Sequence, residues 1–222
     1  FEALRQYPVR LRILVNSLVF FSGFASLATE IIGPRLVASL FGSTTVIWAI
    51  IISVTLIGIS VGYLIGGGAP ELVRIIFPII LISNAAWLLL LSWFIWKIPT
   101  NLASIGYLSI ALVSVLSFFP PAVLFSMTSP MMISLLSRDM PKELISKQVG
   151  NIYALGTLGS VLGALSAAFI LIPFVGLSLT LKVFSLASVL FALAFLSPRK
   201  RLIASLLFVC CLVFPLPVYR WG

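Results

Sequence analysis

Seven apolar segments alternate with short polar or Gly/Pro-rich breaks along the chain. They run at roughly 13–41, 45–67, 73–96, 102–136, 149–173, 176–196 and 202–218. The breaks include Gly42-Ser43, Gly66-Gly67-Gly68, Lys97-Ile98-Pro99, "SRDMPKELISKQ" at 137–148, Pro173 to Gly176, and "SPRKR" at 197–201. A bilayer-spanning helix needs about 20 apolar residues, so each segment predicts one span. The first and fourth are too long for a straight crossing and contain proline, which predicts tilted or broken helices. The seventh is short and ends in Pro215 and Pro217.

Composition turns this pattern into a membrane assignment. The chain has 222 residues, 61% hydrophobic and 9% charged, with a mean hydropathy of +1.25. A soluble surface needs about 25% charged residues, so an integral membrane protein is expected, in contact with the lipid bilayer. The net charge is +9. In this setting basic residues mark helix ends and orientation, and no nucleic-acid partner is expected. One side collects ten cations, namely Arg5, Arg10, Arg12, Arg74, Arg138, Lys142, Lys147, Arg199, Lys200 and Arg201; the other collects three, Lys97, Lys182 and Arg220. The bias puts the N-terminus in the cytoplasm of a multi-pass cell-membrane protein. The first segment lacks a short core followed by a cleavage site, so no removable signal peptide is read. There is no histidine, which removes the usual zinc ligand and neutral-pH base. The adjacent Cys210 and Cys211 read as packed or lipid-facing thiols. No cofactor is expected, and the residues name no metal.

The segments also suggest an internal repeat. Segment 2 carries Gly58, Gly62 and Gly66; segment 5 carries Gly156, Gly159 and Gly163, followed by Ala167. Small residues one turn apart let helices approach closely. Segments 1 and 4 are long and interrupted, by Gly33-Pro34 and by Pro120-Pro121 with Ser129-Pro130. Segments 1–3 and 4–6 therefore match in kind. Three spans is an odd number, so two such units in series are inverted, as in many secondary transporters. The competing account is chance, since Gly and Pro are common in membrane helices.

Candidate chemistry centres on "SLATEIIGPRLVASLFG", 26–42. Glu30 is the one acid inside an apolar segment, and an intramembrane carboxylate is a functional candidate by default. Pro34 has no N–H, so the carbonyl of Glu30 loses its helical donor. A carboxylate and a freed carbonyl oxygen then share one level, which suits a proton, a metal ion or an ammonium group. Pro130 likewise frees the carbonyl of Ser126, beside Thr128 and Ser129. The structural alternative pairs Glu30 with Arg35. On a straight helix they diverge by about 140°, so that pairing needs a break at Gly33-Pro34. Arg35 also reads as an interface marker that snorkels to water.

A second cluster is "KQVGNIYALGT", 147–157. Gln148 and Asn151 share one face, Tyr153 and Thr157 another. They could bind a polar ligand, or cap segment 5 and bond between helices. Asn84 and Tyr63 read as interhelical glue. Trp48, Trp87, Trp93, Trp96 and Trp221 read as interfacial anchors. The mixed-charge loop at 137–147 reads as a solvated linker. "IGGGAP", 65–70, is a glycine run that ends a span rather than a nucleotide loop.

Three stretches together resemble the membrane region of fused major-facilitator/spermidine-synthase-like proteins. "SGFASLATEIIGPRLVASLFGSTTVIWAIIISVTLIGISVGYLIGG" (22–67) is similar to that family's first two spans. "PPAVLFSMTSPMMISLL" (120–136) resembles its P-x-x-L-x-G-x-x-x-P-L segment, and "IYALGTLGSVLGALSAAFILIPFVGLSLTL" (152–181) its Y-A-x-N-T-x-G-A block. Gly156 stands where the pattern usually has Asn, and Ser126 near a usual Gly. No aminopropyltransferase region is read within the sequence, so the enzymatic half of the family name is not expected to carry over. The resemblance implies a six-helix bundle akin to half of a major-facilitator transporter, plus one extra span.

The expectation is an all-α membrane protein of about seven transmembrane helices. A basic N-terminus (1–12) precedes two inverted three-helix repeats (13–96 and 97–196), and a basic loop and extra helix (197–222) follow. The expected function is secondary transport of a small cationic or polar solute, polyamine-like or metal/proton-coupled. Glu30, Pro34, Arg35, Ser126, Thr128, Asn151 and Tyr153 are the expected site. Six helices make half of a central cavity, so a homodimer is expected, with the glycine ridges as close-packing faces. The alternative is a membrane anchor for a synthase-like partner, without transport. An enzyme is not expected: one Glu without His or a second acid offers too little chemistry.

Overall fold

The computed structural model describes residues 9–68, 73–94, 106–137 and 141–196. All the regular structure among them is helical. The elements are α1 (Val9–Phe41), α2 (Thr45–Gly67), α3 (Val73–Phe94), α4 (Tyr107–Ser126), α5 (Thr128–Ser137), α6 (Lys142–Ser166), a π-helical segment (Ala167–Val175) and α7 (Leu177–Phe195). Five stretches are long and apolar enough to cross a bilayer: Val9–Ala38, Thr45–Gly67, Tyr107–Ser137, Lys142–Val175 and Leu177–Phe195. The apolar core of α3, Ile76–Ser92, is shorter. The protein is a multi-pass helical membrane bundle. The expected seventh span, 202–218, lies outside the described residues, as do Cys210, Cys211, Trp96 and Trp221.

Local chemistry explains the helix ends. Gly42 closes α1 at φ 84°, a conformation that a side chain resists. Its N–H donates to the Ala38 carbonyl at 2.9 Å. Thr44 then caps α2, its hydroxyl accepting from the Ile47 N–H at 3.4 Å. A three-residue turn thus reverses the chain. Pro173 lacks an N–H and sits in the π segment. The Gly176 N–H reaches back to the Leu171 carbonyl at 2.8 Å before α7 begins.

The expected break in α1 does not occur: the helix runs through Gly33-Pro34 to Phe41. Proline removes one hydrogen bond, but neighbours on both sides hold the helix. Gly33 is wedged between Ile51 of α2 and Phe118 of α4, so close that a Cβ there would meet both at 3.2 Å. In the fourth segment Met127 separates α4 from α5. The Met127 N–H donates to Val123 and the Met131 N–H to Met127, at 3.1 and 3.2 Å, so the two pieces continue as one span.

Sequence neighbours are not the main packing partners. The most extensive pairs are α1 with α6, α2 with α4 and α3 with α7, followed by α1 with α4. The glycine ridges account for two of them. A Cβ on Gly159 or Gly163 would overlap the main chain of Phe20 or Phe24 on α1. A Cβ on Gly62 would overlap the Ser126 side chain and the Val123 carbonyl oxygen of α4. The ridges are close-packing faces within one chain. The third pair, α3 with α7, is tied by the Ser185 hydroxyl, which donates to the Ala85 carbonyl at 2.7 Å.

Two apolar cores stack along the bundle. One gathers Ala28, Ile32, Ile51, Phe118, Phe125 and Phe184; the other gathers Leu18, Val19, Phe77, Met131, Met132 and Leu136. Phe21 on α1 joins them through ring contacts to Phe125, Phe184 and Phe191, with centroids 5.2–6.4 Å apart. Lipid is as apolar as these side chains, so close packing and interhelical hydrogen bonds carry the stability.

Candidate functional site: a hydroxyl-lined cleft

Where one core gives way to the other, α1, α2, α4–α5 and α6 enclose a cavity of about 110 Å³. Ser22 and Ser26 line it from α1, Tyr63 from α2, and Ser126 and Ser129 from the α4–α5 span. Tyr153, Thr157 and Ser160 complete the ring from α6, and Phe125 forms an apolar wall. None of the lining side chains carries a formal charge. Ser22 lies 13 residues into α1, about 20 Å from its start, which places the cleft deep within the span.

Glycine shapes the wall. Gly23 meets the Gly156 carbonyl so closely that no Cβ fits there, and the Ser160 hydroxyl donates to the Gly23 carbonyl at 3.2 Å. The Ser22 and Ser126 hydroxyls donate to carbonyls on their own helices, Val19 and Val123, at 3.0 and 2.9 Å. The remaining five hydroxyls, on Ser26, Tyr63, Ser129, Tyr153 and Thr157, have no hydrogen-bond partner among the described residues. Tyr63, Tyr153 and Thr157 are exposed on the flank of the bundle.

Glu30 lies outside this cleft. It lines a second cavity of about 10 Å³ with Ser26, Thr29, Thr55, Phe118 and Pro121. That is space for about one water molecule. Ser26 and Phe125 belong to the walls of both cavities. The Thr55 hydroxyl in this wall donates to the Ile51 and Ile52 carbonyls of its own helix at 3.0 Å. Ser22, Ser26 and Glu30 fall four residues apart and so share one face of α1.

The expected site residues separate into three groups. Ser126 and Tyr153 line the cleft, and Glu30 lines the adjoining cavity. Pro34 is buried within the unbroken helix. Arg35, Thr128 and Asn151 line neither cavity. Arg35 is exposed while Glu30 is half-buried, and no ion pair joins them, because an intact helix keeps them on different faces. Thr128 is fully buried with its hydroxyl unpaired.

Other readings need correction. Tyr63 is not interhelical glue but part of the cleft wall. Asn84 is completely buried with neither amide atom hydrogen-bonded, so it bonds no helix to another. Gln148 is two turns into α6, buried and unpaired, and does not cap. Trp87 is no interfacial anchor: its indole N–H donates to the Ser117 carbonyl at 3.4 Å. Pro121 deprives that carbonyl of its helical donor, and the indole replaces it. Trp48, half-buried in the first turn of α2, fits an end position.

The sequence reading passed over Ser22, Ser26 and Ser160, and named Ser129 only as a neighbour of the freed Ser126 carbonyl. The signal was present as hydroxyl residues four apart, Ser22-Ser26 and Tyr153-Thr157, inside otherwise apolar helices. Among the described residues no group of His, Cys, Asp and Glu could hold a metal ion. No family model, no curated protein and no solved structure matches this chain.

Proposed function

We propose that this chain is a secondary transporter whose solute route is the hydroxyl-lined cleft, and that it acts as a homodimer with its N-terminus in the cytoplasm. The observation that carries the reading is a polar cavity deep in the spans, beside a smaller cavity lined by the half-buried acid Glu30. Hydrocarbon cannot hydrogen-bond the exposed Tyr63, Tyr153 and Thr157 hydroxyls. A second copy laid over this flank would shield them and complete the cavity.

Two inverted three-helix units are part of the proposal. Exchanging span 1 with 4, 2 with 5 and 3 with 6 carries α1·α6 into α2·α4 and returns α3·α7 and α1·α4 to themselves, which supports the repeat. Under the same exchange the glycine ridge of α6 against α1 becomes that of α2 against α4. This agrees with the resemblance to half of a major-facilitator bundle, and in such folds the site lies near the repeat interface.

Glu30 is the coupling group, linked to the cleft through Ser26. The test is uptake into proteoliposomes of a broad panel of cationic and neutral polar solutes under an imposed proton gradient. The protein should accumulate at least one solute, and Glu30→Gln should abolish the response to the gradient. A flat signal across the panel would leave the membrane-anchor alternative standing and end the transport reading.

A further inference from the structure

We infer that the cleft takes an uncharged, hydroxyl-rich solute of the short-polyol class rather than a cation. The inference rests on the transport reading and narrows its substrate. Five unpartnered hydroxyls, on Ser26, Tyr63, Ser129, Tyr153 and Thr157, converge on the cavity. Each both donates and accepts a hydrogen bond. A polyol offers the same dual character at every carbon, so donors and acceptors can be matched in pairs. Phe125 and the two tyrosine rings give its C–H faces an apolar surface.

A cation has no counterpart there. No lining side chain is charged, and an unpaired charge brought into a low-dielectric site carries a heavy desolvation cost. Glu30 does not supply the missing charge within the cleft. It belongs to the second cavity, whose volume of about 10 Å³ admits no solute larger than one water. A polyamine would need two or more such anions along its length. The cleft, at about 110 Å³, has space for roughly four waters at about 30 Å³ each. That matches the four hydroxyls of erythritol.

The experiment compares radiolabelled erythritol and spermidine uptake by the full chain in the same proteoliposomes. Two variants remove hydroxyls with little change of shape, Ser26→Ala and Thr157→Val. Thr157→Ser keeps the hydroxyl. Erythritol should enter above protein-free vesicles and spermidine should not. Combining Ser26→Ala with Thr157→Val should weaken half-saturation about tenfold, as expected for two lost hydrogen bonds, and Thr157→Ser should retain uptake. Monodisperse elution and an unchanged melting temperature establish that the variants fold. Spermidine uptake without erythritol uptake overturns the polyol assignment while sparing the transport reading. Erythritol uptake insensitive to the double substitution also overturns it. Uptake of neither solute, nor of any in the wider panel, ends the transport reading and the assignment with it.

Discussion

One of the close backbone approaches among the described residues supplies a sharp test of the packing. Gly159 lies against Phe20 of α1, where a Cβ would overlap the carbonyl oxygen and stand 3.0 Å from the carbonyl carbon. The obstruction is main chain, so no rotamer change relieves it. Gly159→Ala must push α6 away from α1, its most extensive neighbour. Overpacking of this kind costs about 1–3 kcal/mol. Alanine returns about 0.8–1 kcal/mol through helix propensity, and with rigid obstruction the net loss should be about 2 kcal/mol. In a chain of this size that corresponds to about 4–8 °C in melting temperature. Gly150, on the same helix, is the control: a Cβ there meets nothing within 4 Å. Gly150→Ala should be neutral or slightly stabilising. The assay is thermal unfolding in detergent followed by circular dichroism. If Gly159→Ala melts with or above Gly150→Ala, the close approach of α1 and α6 is wrong.

Trp87→Phe should cost about 1 kcal/mol by stranding the Ser117 carbonyl, read as a lower melting temperature, with Trp48→Phe near neutral. With Cys210 and Cys211 replaced by serine, Leu64→Cys or Val161→Cys beside the cleft should form disulfide-linked dimers in membranes, detected on non-reducing gels. Leu90→Cys and Leu190→Cys, exposed on α3 and α7, should not; equal cross-linking from all four positions would refute a dimer face over the cleft.

The spans were legible because an uninterrupted apolar run in a nearly uncharged chain has few other readings. Gly42 and Gly176 marked helix ends through chemistry that acts within a few residues. The glycine ridges announced close packing, though not which helix they meet, because spacing along one helix carries no information about the partner. The fate of Gly33-Pro34 was not legible. Proline's local cost is fixed, but the restraint on α1 comes from Ile51 and Phe118, far away in sequence. Glu30 was visible as the acid within an apolar segment, yet its place in a cavity beside the main cleft was not, because Ser26 and Phe125, which border both, read as plain core in sequence. Serines that line a cavity look like serines that bond their own helix until the neighbours are in place.

The pairing of α1 with α6 has a bearing on biosynthesis. The Gly23 carbonyl waits for the Ser160 hydroxyl, 137 residues downstream. At about 5–20 residues per second, the ribosome needs roughly 7–27 seconds to deliver it. During that interval the earliest span sits in the membrane without its principal mate, its hydroxyls and its carboxyl facing whatever the insertion machinery provides. Maturation of this fold is therefore paced by translation of its second half, and a transcript cut short before residue 142 would leave α1 orphaned, a natural target for quality control.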